Sequence, residues 1–578
     1  MANEKDQCPI DKTNIQGSIW PRLPKYYESY LFYKITKPAE FLKHLKPFID
    51  SITTGKQCED LLGEIKKLKD EKIEKLEKLE MFEQFMGVDK NHIKKLKKTR
   101  DMRDLLDELI AFGAVNIAFS QKGMEKLNQE HLNDDMFRKG MYTDLILEGA
   151  DDPERLLPEF KPPPEHKETD GDDWRVDLVF IVAAESEKSL NMKIADLETA
   201  FHIRDQNNTG LELVVAKHGQ RRPGGDRGKE HFGFEDHISQ PQIKGLDPDP
   251  KEGEPLACPP GYIFIGHEGD PKISKNPDWS KDGSYLVFRQ LDQKVPEFEN
   301  FVAEKSRTIP NYDKGDDGKK LAAHMMGRWK SGAPVALTPD TDNEALAFRN
   351  DFDYRPKQSM LGCPFAAHTR KVRPRADHKP DIGTEQDPVA GKFTEPVNGK
   401  VEAVGVEYDS DDEPDQKPAE EDASVILRRG ITFGPEVGED EKKGTIRDRG
   451  IYFTCYQSDI RDGFNIIMIR WASNSVFPTS KEKTYPDEFD LNSKTLEEKE
   501  ENGEQMGPGM DPFINQRLGK KHKTGHISLY GGKKTEEEEE PKKTTPLDLG
   551  VSRWVDQRGG EYFFTPSIEA LHHFTANF

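Results

Sequence analysis

The sequence predicts an α+β fold of two ferredoxin-like domains, each an antiparallel sheet with peripheral helices. Two observations predict it. Apolar, β-rich runs and amphipathic stretches follow one another in the order strand, helix, strand, strand, helix, strand, and a comparable set recurs in the second half. The length agrees, because 578 residues exceed what a single hydrophobic core usually organises.

In the first unit, residues 30–35 (YLFYKI) are rich in β-formers. Residues 38–52 set Phe41, Leu42, Leu45, Phe48 and Ile49 at helical spacing behind a proline suited to a first turn. Residues 115–120 (VNIAFS) open a second strand with a helix from Gly123, and 176–183 and 211–216 give two more strands around a helical stretch. Between them, residues 61–110 carry dense Lys and Glu with Ile73, Leu76, Leu79 and Phe82 three apart, which reads as a solvated helical insertion; a coiled-coil partner site is the alternative. The second unit reads as a strand at 285–291, helices near 296–305 and 321–330, and strands at 450–457 and 464–470. The boundary falls near residue 245, giving domains 14–245 and 246–578.

Charged residues make up 33% of the chain and hydrophobic ones 34%, so part of the length is expected in solvated insertions. Residues 153–173, 376–423, 479–506 and 532–545 are rich in proline or acid and read as such loops. The net charge of −22 repels phosphate backbones and anionic headgroups, which argues against nucleic-acid and membrane-surface roles. No run approaches the ~18 apolar residues of a membrane span, and the first residues lack an apolar signal core. A soluble protein is expected, either intracellular or a mature form of an exported one. The five cysteines are widely spaced without a CxxC pair, a pattern of reduced thiols rather than of zinc or a disulfide framework.

His368 stands out by its surroundings. The run CPFAA delivers it toward an interior, and Arg370, Arg373 and Arg375 follow, a density of fixed positive charge suited to anionic groups. Imidazole is a good axial ligand for haem iron. Cys363, five residues earlier, offers a thiolate as the competing ligand.

Nine segments in order, NIQG, VNIAFSQKGM, FGFEDHISQP, GSYLVFRQLDQ, GRWKSGAP, CPFAAHTRKVRPR, ILRRGITFGPE, DRGIYFTCYQS and RGGEYFFTPS, make the chain resemble the dye-decolorizing peroxidases, in their long, fungal-like branch. The resemblance spans nearly everything but the insertions. It implies a peroxidase holding one haem b per chain in a cavity of the C-terminal domain, as monomer or homodimer. Such an enzyme uses hydrogen peroxide to oxidise phenols, dyes and other small or bulky aromatic donors through an oxyferryl intermediate. His368 matches the proximal iron ligand and Arg370 a propionate-binding arginine, while Arg373 stands where asparagine is usual. Asp236, in GFEDH, matches the acid–base aspartate, and Arg428 the distal arginine that stabilises charge during O–O cleavage. Ile451 and Phe453 match apolar residues over the distal pocket. Asp511 is the expected carboxylate on His368, and Trp471 matches a tryptophan associated with surface electron transfer, for which simple packing is the alternative.

Two departures follow. His237 replaces the second glycine of the aspartate motif, and Phe433 a frequent tyrosine, which removes a candidate radical site. If position 237 needs positive φ, histidine there costs about 1 kcal/mol, and its ring can add an acid–base group or enter the distal side. The second outcome defines an alternative function, a haem-binding or haem-transfer protein whose peroxidase activity is weak because His237 obstructs peroxide. A haem-free interaction scaffold built on the acidic loops is a third.

Overall fold

Strand β1 (Tyr27–Ile35) is buried along most of its length because both its faces are covered. Leu31, Tyr33 and Ile35 share a core with Phe41, Leu42 and Leu45 of the helix Pro38–Phe48. Tyr30 and Phe32, on the alternate face, join a second core with Phe288, Tyr456 and Phe563. Phe32 packs edge-on to Phe288 at 4.9 Å and to Phe160 at 5.6 Å, contacts worth about 0.5–1.5 kcal/mol each beyond their buried area.

The structure is a computed structural model that describes residues 10–85, 110–147, 151–166, 174–203, 210–251, 253–254, 257–309, 312, 315–352, 354, 363–375, 424–474, 477, 509–514, 525–529, 545–550 and 553–577. After β1 come β2 (Gly113–Phe119), β3 (Leu178–Ala184) and β4 (Leu211–Gln220), with the helix Glu187–Ala200 before β4. They pair antiparallel in the order β4-β1-β3-β2. The second set comprises β5 (Ser284–Gln293), β6 (Leu427–Arg428), β7 (Ile431–Phe433), β8 (Gly450–Gln457), β9 (Gly525–Leu529), β10 (Thr545–Gly550) and β11 (Val555–Thr565). Its order is β11-β5-β8-β6, with β7 also on β8, while β9 and β10 form a separate ladder. Both sets follow the ferredoxin-like plan, so the fold is α+β and antiparallel with helices at its periphery.

The two sets join into one nine-stranded sheet where β11 meets β2, at Phe564 and Phe119. The far edges also approach each other. Thr432 Oγ1 donates to Gln220 O at 2.6 Å, and a Cβ on Gly219 would lie 2.4 Å from Ile431 Cγ2, so glycine is what lets β4 and β7 close the sheet toward a barrel.

Two expectations change. Residues 464–470 are not a strand but part of the π-helical turns Arg461–Asn465 and Ile467–Ala472, and the fourth strand of the second unit is β11 instead. A continuous apolar run has no period that separates a buried strand from a buried helix. Within 153–173 the structure describes residues 153–166, where Leu156 and Phe160 are core residues, so that part packs over β1. The helix Gly55–Phe85 covers the start of the charged insertion; residues 86–109, 376–423, 478–508 and 530–544, where the other insertions were expected, lie outside the described residues.

Candidate active site

The segment linking β4 to β5 carries Asp236 and His237, and β6 carries Arg428. The Asp236 amide donates to Gly228 O at 2.9 Å, and His237 turns the chain with φ +65°, a conformation histidine tolerates better than most residues. Its amide donates to Asp236 Oδ1 at 2.6 Å. Arg428 is tied to the same loop three times: its amide donates to Gln240 Oε1 at 2.9 Å, Nη2 to Ile238 O at 2.7 Å and Nη1 to Asp236 Oδ1 at 3.1 Å. Ile451 and Phe453, two apart on β8, project to one face and wall the same cavity of about 270 Å³ as Asp236, His237 and Arg428.

His368 lines that cavity too. It begins the short helix His368–Val372, behind the fully buried Cys363, Ala366 and Ala367. Its Nδ1 lies 2.8 Å from Oδ2 of the buried Asp511, whose Oδ1 accepts from the Phe513 and Ile514 amides at 2.8 and 3.0 Å. Phe513 meets the ring edge-on at 6.0 Å. With Nδ1–H donating to the carboxylate, the lone pair is on Nε2, which has no hydrogen bond among the described residues. Cys363 is buried beneath this helix in a small apolar cluster and does not line the cavity.

Arg370 does not line this cavity. Two residues past His368, a helix has turned roughly 200°, so its side chain leaves the cavity side. Its guanidinium is buried, with Nη1 donating to Cys363 O at 2.6 Å, over the Phe365 and Tyr354 rings at 4.0 and 4.4 Å. The cavity wall holds Arg373, Arg375 and, unforeseen from the sequence, Arg328. Arg328 and Arg375 share Ser239 Oγ and Asn350 Oδ1 as acceptors. Burial, and then Arg375 beside it, push the Arg328 guanidinium down to about 10, and it has no carboxylate partner among the described residues. Its segment, GRWKSGAP, is among those that carry the family resemblance, but no role attached to it. Trp471 is buried and stacked on Phe477 at 5.3 Å.

Electrostatics separates Asp236 from His237. Burial pushes the Asp236 carboxyl up, but His237 and Arg428 more than offset this, and it lies below its ordinary value. For His237, the attraction of Asp236 raises proton affinity, while burial together with Arg428, Lys25 and Arg22 prevails and lowers it to about 4. Near neutral pH the pair is a carboxylate beside a neutral imidazole, with Nδ1 3.7 Å from Asp236 Oδ2. The arrangement can accept a proton at Asp236 and stabilise negative charge at Arg428. An imidazole nitrogen with no hydrogen bond, apolar walls and the buried Arg328 guanidinium, which has no carboxylate partner among the described residues, fit a haem.

Comparison with known proteins agrees. Residues 14–105 and 80–223 match the family model described as the DyP dimeric alpha+beta barrel domain. A dye-decolorizing peroxidase of Mycetinis scorodonius is 30% identical over 79% of this chain and 75% of its own length, and one of Auricularia auricula-judae is likewise 30% identical over the same shares. Among solved structures, an ancestral D-type dye-decolorizing peroxidase superposes with a TM-score of 0.71 at 32% identity, covering 98% of this chain and 99% of that one. A variant of the Pleurotus ostreatus dye-decolorizing peroxidase gives 0.69 at 29% identity, with the same coverage.

Proposed function

The chain belongs to the dye-decolorizing peroxidase family of haem-dependent peroxidases, and from that premise we propose that it oxidises phenolic, dye-type or other bulky aromatic donors with hydrogen peroxide, using one haem b. The observation that carries this reading is that one cavity is walled both by His368 on its carboxylate and by the Asp236–Arg428 pair. A bound haem supplies an iron that accepts peroxide and takes up its two oxidising equivalents. His368 Nε2 is the ligand, and Asp511 holds the ring in the tautomer that leaves this nitrogen free. Arg328 and Arg375 are the partners for the propionates, the role expected of Arg370.

Asp236 takes a proton from the entering peroxide at its carboxylate and returns it to the leaving oxygen. Arg428 holds that carboxylate in place and offers positive charge where negative charge develops. Ile451 and Phe453 keep water from these groups, which strengthens both interactions. Bulky donors do not fit a cavity this size beside the haem, so they deliver electrons from its edge or from the protein surface. The division into domains 14–245 and 246–578 belongs to the same reading: the linker between the two sets of strands carries Asp236, while His368, on a helix between β5 and β6, and Arg428, on β6, belong to the second domain.

The test is the absorption spectrum of the haem-loaded protein. A Soret band that shifts on one equivalent of peroxide supports the peroxidase reading, and a colourless protein that refuses haem overturns it. A second reading rests on His237, which shares the cavity wall with Asp236: a haem-binding or transfer protein in which that ring impedes peroxide. A low-spin resting spectrum, unresponsive to peroxide and restored by His237→Gly, would distinguish it.

A further inference from the structure

Behind Asp236 and His237 lies a second cavity, of about 430 Å³, and its wall is basic although the chain as a whole carries −22. Arg22, Lys25, Arg221, Arg227, Lys229 and Arg429 line it against two acids, Glu28 and Asp236. A seventh cation of the wall, Arg222, is engaged by Glu436 through two hydrogen bonds of 2.9 and 2.5 Å. The two cavities share Asp236, His237 and Gly430.

Two cations of this second wall, Arg22 and Arg429, have no carboxylate partner among the described residues. Lys25 spends its ammonium on Glu28 at 2.6 Å and on Arg429 O at 2.5 Å. Arg429 donates to two carbonyls, Ile19 O and Arg428 O, each at 3.1 Å, and has no carboxylate partner among the described residues. Arg22 lines the cavity with neither a hydrogen bond nor an ion pair among the described residues. Burial lowers the proton affinity of Arg22, Lys25 and Arg429, the last to about 9 with Arg22 adding repulsion. The Arg221 and Arg227 guanidiniums, both in the wall, flank the ring of Tyr26 at 5.1 and 4.9 Å, which fixes two planar cations against one aromatic side chain.

We propose that this basic cavity is a binding site for a small oxyanion, a carboxylate or its inorganic equivalent, held by Arg22, Arg227 and Arg429 against the wall formed by Asp236 and His237. Like charges gathered in a partly enclosed space repel one another, and an oxyanion relieves that repulsion while offering planar acceptors to planar guanidiniums. In an acidic protein the cavity also concentrates field of one sign, which draws anions that the rest of the surface repels. Neither His368 nor Arg428 lines it, so this site is a separate chamber that meets the first at its proton-handling wall.

Calorimetric titration of the full, haem-loaded chain at constant ionic strength, with inorganic phosphate and separately with benzoate, reads the site without relying on turnover. Saturable binding of either anion is expected, weakened about tenfold by Arg22→Gln and by Arg227→Gln, the loss that follows removal of one charge-assisted hydrogen bond. Arg22 supports nothing else by hydrogen bonding among the described residues, so R22Q should keep the thermal midpoint of the parent; R227Q provides the independent second reading. Binding of phosphate alone marks an inorganic oxyanion site, and tighter binding of benzoate an organic carboxylate site. No saturable heat with either anion, or binding that both substitutions leave unchanged, overturns the proposal.

Discussion

Arg328 and Arg375 hold their guanidiniums on the same two acceptors, Ser239 Oγ and Asn350 Oδ1, and so keep two positive charges side by side on the cavity wall. Like charges this close persist only where an anion or a dense set of acceptors offsets their repulsion. If the anion is a propionate, Arg328→Met should loosen haem by about 1.5–3 kcal/mol, roughly 10- to 100-fold in affinity. Transfer of haem to an excess of an apo-globin measures it. An unchanged transfer rate removes Arg328 from the haem site.

Asp511→Asn tests the other side of the cavity. Asparagine keeps a carbonyl oxygen for the Phe513 and Ile514 amides but withdraws the negative charge from His368. Loss of such a partner typically costs roughly 10- to 100-fold in metal affinity or activity. Because a carboxylate makes the imidazole more basic and so favours ferric iron, the midpoint potential should also become more positive. A potential equal to that of the parent would sink the idea.

Asp236→Asn preserves the size of the side chain and removes the proton acceptor. The second-order rate of the peroxide-induced spectral change should fall about 10²- to 10⁴-fold in stopped-flow mixing, the usual worth of a positioned acid–base group. A fall of less than about tenfold would transfer the role elsewhere, with His237 the nearest candidate.

The pH dependence has a definite sign. Asp236 lies below its ordinary value, so the acceptor form persists into acid, and the rate should be flat at weakly acidic pH and decline only as the pH falls through the lowered value. His237 contributes to that lowering through its charge, hence His237→Gly should move the acid limb to higher pH. The same substitution relieves the positive φ and should raise stability by up to about 1 kcal/mol, less whatever packing the ring provides. A pH–rate profile that superposes on the parent's would show that the imidazole and the carboxylate titrate independently.

Much of this was readable in the chain because short apolar strands alternating with amphipathic helices leave a period, as in residues 30–35 and 38–52. His368, Asp236, Arg428, Ile451 and Phe453 each sat inside a motif, and the structure brings all five to one cavity. What escaped reading was set by three-dimensional contact. Residues 464–470 are apolar without a period, and only burial decides that they coil. Arg370 and Arg375 look equivalent in RKVRPR, yet the helix sends the first into a ring-lined interior and leaves the second on the wall. Arg328 gains its meaning from Asn350 and Ser239, partners that no local spacing announces.

The strand β11 belongs to the sheet of both repeats, pairing with β5 along its length and touching β2 at its end. During synthesis it is the last of the nine strands to emerge, long after Asp236, His368 and Arg428 have left the ribosome. The nascent chain therefore carries every reactive side chain before the seam between its halves can be sewn, and Val555 and Gln557 complete the cavity wall only when that happens. Haem capture should accordingly be a late, post-translational event, and a chain interrupted ahead of Val555 should emerge without pigment.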